Sequence, residues 1–195
     1  MRIGILGGSF NPPHWGHLFM AEYVRDALAL EAVWFVVAPR PPHKLEDPEL
    51  APAEDRLRMT QLAVAEAPGF LASDLEFARE GPSYTVHTLE ELQTIYPEAR
   101  LHLILGSDSL RQFASWREPH RIVQLARLVV VERPGYESEL IPAEWRAEVT
   151  FLEAPLIGIS ASAIRERVRR GQSIRFWVPE PVRAYIEERG LYRVP

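Results

Sequence analysis

Two histidines near the start of the chain have a spacing that suits phosphate chemistry. His14 and His17 lie three residues apart, so on a helix their rings face the same side. Two imidazoles at a helix start can donate hydrogen bonds to phosphoryl oxygens and stabilise the charge that builds up when a phosphoryl bond breaks. They end a glycine-rich segment, Gly7-Gly8-Ser9-Phe10-Asn11-Pro12-Pro13-His14-Trp15-Gly16-His17. We therefore predict that both histidines act on a phosphoryl group.

The elements around this segment support a nucleotide site. A predicted strand, Arg2–Gly7, precedes it and a predicted helix, His17–Leu30, follows it. Ligands of open α/β sheets bind beyond the carboxyl ends of strands, where glycines let backbone approach a ligand and a helix N-terminus attracts phosphate. The predicted ATP-binding residues here are Gly8, Ser9, Phe10 and Gly16.

The segment also has two simpler interpretations. A His-x-x-His pair can bind a metal ion, but zinc typically takes a third protein ligand and none is obvious nearby. A glycine-rich turn can also be no more than a turn. The segment is not the dinucleotide glycine fingerprint, because the glycine spacing differs and two prolines intervene. We predict no protein-built metal site.

A second candidate phosphate site lies about 140 residues later in the sequence. Ser160 is placed to cap a helix, and Ser162 and Arg165 share one face of that helix. Hydroxyls, free N–H groups and a guanidinium suit the β- and γ-phosphates of ATP. The alternative is a well-capped surface helix.

Lysine is almost absent from the chain. Of the 22 lysine and arginine residues, only Lys44 is a lysine, and it lies in a stiff loop, Pro41-Pro42-His43-Lys44. Chance could leave one lysine in an arginine-rich chain. The other interpretation is that this position needs a compact ammonium, which a planar guanidinium cannot replace. We predict that Lys44 closes over the phosphates.

Apolar runs alternate with amphipathic stretches along the chain, as is typical of an α/β fold. Further strands are predicted at Val33–Ala38, Leu101–Leu105, Arg127–Glu132 and Val149–Glu153, with a strand pair or an irregular edge at Phe70–Phe77. Further helices are predicted at Ala53–Ala67, Tyr84–Tyr96, Asp108–Trp116, Pro181–Arg189 and from the Ser160 cap to Arg170, with a proline-rich loop at Pro39–Pro52. The β-α-β order predicts a Rossmann-like parallel sheet flanked by helices. We expect one domain, residues 1–195, whose part from 155 to 195 is helical.

Composition limits the function classes. The chain has no cysteine, so disulfides, thiolate metal sites and cysteine nucleophiles are excluded. The net charge of −5 disfavours nonspecific nucleic-acid binding as the main role. No apolar run approaches the roughly 18 residues of a membrane span. We expect a cytoplasmic protein without a membrane or nucleic-acid partner, and the sequence leaves a homo-oligomer open.

The two motifs together resemble those of a known enzyme family. The first resembles the G-[ST]-F-[DN]-P-x-H-x-G-H signature of nucleotidyltransferases that share a fold with class I aminoacyl-tRNA synthetases. Their second signature, I-S-x-[ST]-x-I-R, is matched by Ile159-Ser160-Ala161-Ser162-Ala163-Ile164-Arg165, with Ser162 where threonine is common. The resemblance implies that Ile159 and Ser160 bind ATP and that Lys44, in the matching P-P-H-[KR] segment, contacts the phosphates.

Over its whole length the chain resembles the bacterial nicotinate-nucleotide adenylyltransferases. The resemblance is carried by Pro82-Ser83-Tyr84-Thr85, Gly106-Ser107-Asp108-Ser109-Leu110, Trp116, Arg133-Pro134-Gly135 and Gly190-Leu191-Tyr192. It implies that Trp116 stacks on the pyridine ring, that Thr85 meets the nicotinate carboxylate and that Gly106 and Asp108 face the adenosine ribose. Arg133 is a further expected acceptor residue.

The resemblance implies transfer of AMP from ATP to nicotinate mononucleotide, with Mg²⁺ carried by the ATP phosphates. In one loop the chain departs from its relatives: Ala38-Pro39-Arg40 stands where they usually have asparagine and a longer loop, and we expect Arg40 to substitute in contacting the acceptor phosphate. The alternatives are the same transfer to nicotinamide mononucleotide or phosphopantetheine, and a nucleotide sensor without turnover.

Overall fold

Six parallel strands form the centre of the computed structural model, which describes residues 1–132, 143–155 and 157–193. The strands are β1 (Arg2–Gly8), β2 (Ala32–Val37), β3 (Phe70–Ser73), β4 (Arg100–Gly106), β5 (Ala126–Glu132) and β6 (Val149–Glu153). Their spatial order is β3-β2-β1-β4-β5-β6, and every neighbouring pair is parallel. The chain thus winds outward in both directions from β1 and β4, which confirms the predicted Rossmann-like sheet.

Seven α-helices lie in the described part of the chain. They are α1 (Trp15–Ala27), α2 (Ala53–Val64), α3 (Thr85–Ile95), α4 (Ser107–Gln112), α5 (Pro119–Leu125), α6 (Ala161–Arg169) and α7 (Glu180–Arg189). Short 3₁₀ turns cover Pro42–Lys44, Phe113–Ser115 and Ala143–Glu148. No helix among the described residues combines the length and the apolar character needed to cross a membrane.

The four inner strands, β1, β2, β4 and β5, are largely buried on both faces, which explains their near-continuous apolar sequences, whereas the edge strands β3 and β6 are only partly buried. On β1, Ile3 and Ile5 face a cluster that includes α3 and α5, whereas Leu6 faces the opposite cluster with α1. On β4, Leu103 and Ile104 divide between the two clusters in the same way. The period of two therefore sends alternate side chains into two helix layers.

A third apolar cluster holds the C-terminal helices in place. Met59 of α2 packs with Ile164 of α6 and with Val182 and Ile186 of α7. Ile159, the residue before the Ser160 cap, packs against the same cluster as Ile164, as in a hydrophobic staple. The Oγ of Ser160 accepts a 3.2 Å hydrogen bond from the Ala163 N–H, so the predicted cap is confirmed.

Glycines follow both C-terminal helices. Gly171 and Gly190 follow α6 and α7, each with φ of 64°. This left-handed conformation costs a glycine little because it has no Cβ.

Four local predictions were wrong or incomplete. α1 begins at Trp15 rather than His17, because His14 is already the extended residue that precedes the helix. Of the two alternatives for Phe70–Phe77, a strand pair or an irregular edge, the structure has the edge: β3 is the outermost strand and ends at Ser73, and the Phe77 N–H closes a 2.8 Å turn on the Asp74 carbonyl. The predicted helix Asp108–Trp116 divides into α4 and a 3₁₀ turn. α5 was not predicted, since seven residues starting at a proline give a weak periodic signal.

Candidate active site

A cleft of ≈ 680 Å³ opens at the carboxyl ends of β1 and β4. These neighbouring strands are where the strand order reverses, the position at which open α/β sheets bind ligands. Segments from both motifs line this cleft. The predicted site residues among them are Gly8, Ser9, Phe10, His14, Gly16, His17, Lys44, Thr85, Gly106, Asp108, Trp116, Ile159 and Ser160.

The two histidines stack on each other at the start of α1. The centroids of the His14 and His17 rings lie 3.7 Å apart, with 27° between the ring planes. The backbone N–H of His14 donates to Nδ1 of His17 over 3.2 Å. Because Nδ1 of His17 accepts this bond, the ring proton of neutral His17 belongs on Nε2, where it is free to be donated. The predicted shared face of the pair is confirmed.

Burial keeps both histidines neutral in the free protein. It lowers the pKa of His14 from 6.5 to about 4. Burial, reinforced by the nearby His14 and Lys44, holds the pKa of His17 well below its usual range. Neutral imidazoles stacked this closely avoid the repulsion of two like charges, and an incoming phosphate would favour their charged forms.

Phe10 and Gly16 fix the position of the histidines. The ring of Phe10, which is 2% exposed, meets His17 edge-on at 5.2 Å and also packs against Phe35. A Cβ on Gly16 would lie 3.0 Å from ring atoms of His14 and 3.6 Å from the Ile159 carbonyl oxygen. Because Gly16 has no side chain, the first motif can pack against Ile159, the first residue of the second motif.

Lys44 reaches the first motif across the cleft. Its Nζ donates to the Oγ of Ser9 over 3.3 Å. Loss of hydration is the main reason that the pKa of Lys44 is lowered, and the guanidinium groups of Arg165 and Arg56 add to the effect. The ammonium therefore lies in a positive region that would favour a polyanion.

The second motif reaches the cleft through its first residues only. Ser160 lines the cleft, and its Oγ lies 3.2 Å from the Oγ of Ser162. Ser162 and Arg165 are not among the lining residues. The Arg165 guanidinium donates to Glu49 Oε2 at 2.8 Å and to the Asn11 carbonyl oxygen at 3.0 Å, so it contacts the first motif from behind.

Thr85 and Trp116, two of the predicted acceptor residues, line the same cleft. Thr85 is the first residue of α3, and Trp116 follows the 3₁₀ turn, with its ring 5.6 Å from that of Phe113. Arg40 has a different position from the one predicted. Its Nε donates to the Gly81 carbonyl oxygen at 2.7 Å and it is absent from the lining residues. Arg133 lies outside the described residues.

The end of β4 supplies backbone and hydroxyl groups to the cleft. Gly106 precedes α4, and Asp108 in its first turn forms an ion pair with Arg111. The Oγ of Ser107 is buried and has no hydrogen-bond partner within the described ranges. Ser107, which lines the cleft, thus has an unsatisfied hydroxyl that no sequence motif indicated.

Sequence reasoning missed several buried groups around the cleft. Glu76 lines it, and burial raises the pKa of its carboxyl, which accepts a hydrogen bond from Thr88. Asn11 accepts at Oδ1 from the Ala51 N–H at 3.1 Å. Arg56, 1% exposed, lies behind the first motif. The signal that the sequence offers for these residues is that each is a polar residue close to apolar ones.

Within the part of the chain that the structure describes, no group of three or more histidine, aspartate or glutamate side chains converges as a metal site. The side chains that line the cleft carry imidazoles, hydroxyls and an ammonium, and also the carboxyl groups of Glu76, Asp108 and Glu132. The imidazoles, hydroxyls and ammonium suit phosphate oxygens.

The chain matches known proteins over almost its entire length. A family model described as cytidylyltransferase-like matches residues 5–167. A Thermus thermophilus protein named "Probable nicotinate-nucleotide adenylyltransferase" is 49% identical over 193 residues, which cover 99% of this chain and 100% of that protein. A protein of the same name from Geobacillus kaustophilus is 46% identical over 191 residues, 98% of this chain and 86% of that one.

The fold also matches a solved structure. The nicotinic acid mononucleotide adenylyltransferase of Plasmodium falciparum, complexed with NaAD, superimposes with a TM-score of 0.80 over 98% of this chain and 97% of that chain. At 20% sequence identity, this similarity supports the fold alone.

Proposed function

The chain belongs to the cytidylyltransferase-like family, together with nicotinate-nucleotide adenylyltransferases, and we propose that it has their activity. It transfers AMP from ATP to nicotinate mononucleotide, giving nicotinate adenine dinucleotide and pyrophosphate, a step of NAD biosynthesis. The observation that carries this proposal is the meeting of both nucleotidyltransferase motifs in one cleft at the strand-order reversal.

The reaction needs alignment and charge neutralisation more than proton transfer. The acceptor phosphate is already an anion at neutral pH, so it can attack the α-phosphorus of ATP without a strong general base. A bond forms between the acceptor phosphate oxygen and the α-phosphorus as the bond between the α-phosphorus and the oxygen that bridges to the β-phosphate breaks. Pyrophosphate leaves with the electron pair of the broken bond. A cleft that holds both nucleotides in line lowers the entropic part of the barrier.

The histidines are proposed to stabilise the phosphoryl groups during this transfer. The Nε2–H of His17 is free to donate because its Nδ1 already accepts from the His14 backbone. Ser9 and Ser160, which line the same cleft, add hydroxyl groups. Lys44 is proposed to contact the phosphates, because its ammonium already lies 3.3 Å from Ser9.

Ser162 and Arg165 are proposed to act on the departing pyrophosphate, in line with the family motif. In the free protein the Arg165 guanidinium is bound to Glu49 and the Asn11 carbonyl. ATP phosphates would therefore have to compete with Glu49 for this group, or Arg165 would act by holding Asn11 in place. Mg²⁺ is proposed to enter as part of the MgATP substrate, held by phosphate oxygens and water, where it neutralises part of the charge.

The acceptor and adenosine subsites are proposed on opposite sides of the cleft. Trp116 would stack on the pyridine ring, and Thr85 with nearby backbone amides would bind the carboxylate. Gly106 and Asp108 would face the adenosine ribose. The Arg40 side chain is held by the Gly81 carbonyl, so contact with the acceptor phosphate would require it to move.

A pyrophosphate-release assay tests the function directly. We expect turnover with MgATP and nicotinate mononucleotide, and much weaker turnover with nicotinamide mononucleotide or phosphopantetheine. ATP binding without pyrophosphate release from ATP in the presence of any of the three acceptors would favour a nucleotide sensor instead.

A further inference from the structure

Arg56 is a buried cation directly behind the phosphate-facing loop. It lies in α2 and is 1% exposed. Its guanidinium donates four hydrogen bonds to backbone carbonyl oxygens: Ser9 at 2.8 Å, Ala38 at 2.7 Å, Pro39 at 2.9 Å and Ala51 at 2.9 Å. Every one of these acceptors is electrically neutral.

No carboxylate of the described residues lies within ion-pair distance of this guanidinium. Glu54, on the same helix, acts on it only from farther away. Burial lowers the pKa of Arg56, but an arginine keeps its proton under all ordinary conditions. A buried charge without a counter-charge is unfavourable in a folded protein, and carbonyl dipoles offset only part of that cost.

The carbonyl partners of Arg56 connect this charge to the cleft. Ser9 follows β1 and lines the cleft, and Ala38 follows β2 and also lines it. The side chain of Ser9 accepts from Lys44 while its backbone accepts from Arg56, so two cations lie on either side of one residue. Neither cation forms an ion pair with a carboxylate in the described part of the chain, although Asp47 acts on Lys44 from farther away, whereas Arg165 is paired with Glu49.

We propose that Arg56 is a positioning residue whose uncompensated charge is balanced by the phosphate chain of bound ATP. The guanidinium holds the Ser9 and Ala38 backbones at the edge of the cleft, and its field attracts the polyanion through that loop. This inference rests on the proposed function, because it takes ATP as the ligand of the cleft.

A role limited to holding the loops would predict a different pattern of effects. If Arg56 only keeps the backbone in place, its loss should weaken charged and neutral ligands alike. If its charge also acts, the loss should grow with the negative charge of the ligand, since Coulomb attraction scales with that charge. Inorganic tripolyphosphate and adenosine are the charged and neutral probes that separate the two roles.

The experiment measures dissociation constants of both probes by titration calorimetry for wild type and Arg56→Gln. We expect Arg56→Gln to raise the tripolyphosphate constant by at least about tenfold and to change the adenosine constant by less than about twofold. Arg58→Gln is the matched control, because Arg58 lies on the same helix, is exposed and contacts Gln61. It removes the same charge and should leave both constants unchanged.

Two results would overturn the proposal. One is an unchanged tripolyphosphate constant in folded Arg56→Gln, and the other is an equal loss for both probes. If Arg56→Gln does not fold, Arg56→Lys at pH 6.5 keeps a charge but reaches fewer carbonyls. A tripolyphosphate dissociation constant within about threefold of the wild-type value then supports a role for the charge, and any larger increase excludes it. Turnover of the wild-type enzyme, measured separately, shows whether the proposed function itself holds.

Discussion

The hydroxyl of Tyr192 donates a 2.9 Å hydrogen bond to Oδ1 of Asn11, across a sequence separation of 181 residues. Burial raises the pKa of Tyr192, so its hydroxyl stays protonated and can donate. The bond ties the segment after α7 to the loop that carries the histidines. The C-terminal part of the chain therefore supports the geometry of the first motif.

Removing this hydroxyl should weaken the fold slightly. In Tyr192→Phe, Asn11 Oδ1 keeps its bond from the Ala51 N–H, so we expect the free energy of unfolding to fall by about 1 kcal/mol. Urea denaturation measures it. Tyr96→Phe is the control, because the Tyr96 hydroxyl makes no hydrogen bond to the residues described here, and it should stay within about 0.5 kcal/mol of wild type. Equal stability of Tyr192→Phe and wild type would mean that the contact contributes nothing.

His17 should matter for turnover rather than for folding. Because its Nε2–H is free to stabilise charge in the transition state, we expect His17→Ala to lower kcat by roughly 10²- to 10³-fold. Steady-state kinetics give the rate, and circular dichroism with thermal unfolding checks the fold. Turnover within a few-fold of wild type in a folded variant would exclude this role.

Lys44 tests whether a compact ammonium is needed. We expect Lys44→Arg to be measurably impaired and Lys44→Ala to be worse, because a guanidinium keeps the charge but not the point-like geometry. Values of kcat and KM for MgATP measure both variants. Full activity of both variants would show that position 44 does not need an ammonium, and chance would then explain the single lysine.

The pKa of His14 predicts how stability depends on pH. In the free protein it is about 4, below the 6.5 expected of an unfolded chain. The unfolded chain therefore binds more protons between these values, so the free energy of unfolding should fall as the pH drops through this window. Urea denaturation across this pH range measures the change, and His14→Gln should reduce its slope.

Phosphate binding should partly reverse this shift. A bound anion favours the imidazolium form, so we expect the pKa of His14 to rise when tripolyphosphate is added. NMR titration of the ring protons measures it, with the His14 signal identified by its loss in His14→Gln. Titration of His14 near 6.5 in the free protein would contradict the burial that the structure gives this ring.

Thr85 and Trp116 should affect acceptor choice differently. A site built from backbone N–H groups and the Thr85 hydroxyl offers hydrogen-bond donors to the nicotinate carboxylate. The NH₂ of the nicotinamide amide would leave some of these donors unpaired, and each unpaired donor would cost about 1–3 kcal/mol of binding free energy. We expect a preference for the acid of about 10- to 10⁴-fold in kcat/KM. Thr85→Val should reduce this ratio.

Trp116→Ala should weaken both mononucleotides alike, because a stacking face does not distinguish the two rings. The measurement is kcat/KM for each mononucleotide at saturating MgATP. Equal kcat/KM values of the wild-type enzyme for the two mononucleotides, or a higher value for nicotinamide mononucleotide, would mean that the proposed acceptor or the proposed pocket is wrong.

The sequence alone determined most of the elements and the two local motifs. Strand and helix periods are short-range signals, so the strands, most of the helices and the Ser160 cap could be predicted without coordinates, whereas the seven-residue α5 could not. The shared face of His14 and His17 was equally local, since three residues separate them.

Only the tertiary structure decided which distant groups meet. Arg56 binds the Ser9 carbonyl across 47 residues, and Arg165 binds the Asn11 carbonyl across 154. The Arg40 guanidinium, expected at the acceptor, is held instead by the Gly81 carbonyl 41 residues later. Long polar side chains can reach several partners, and the packing of loops against the sheet selects among them. No periodic pattern in the sequence records that selection.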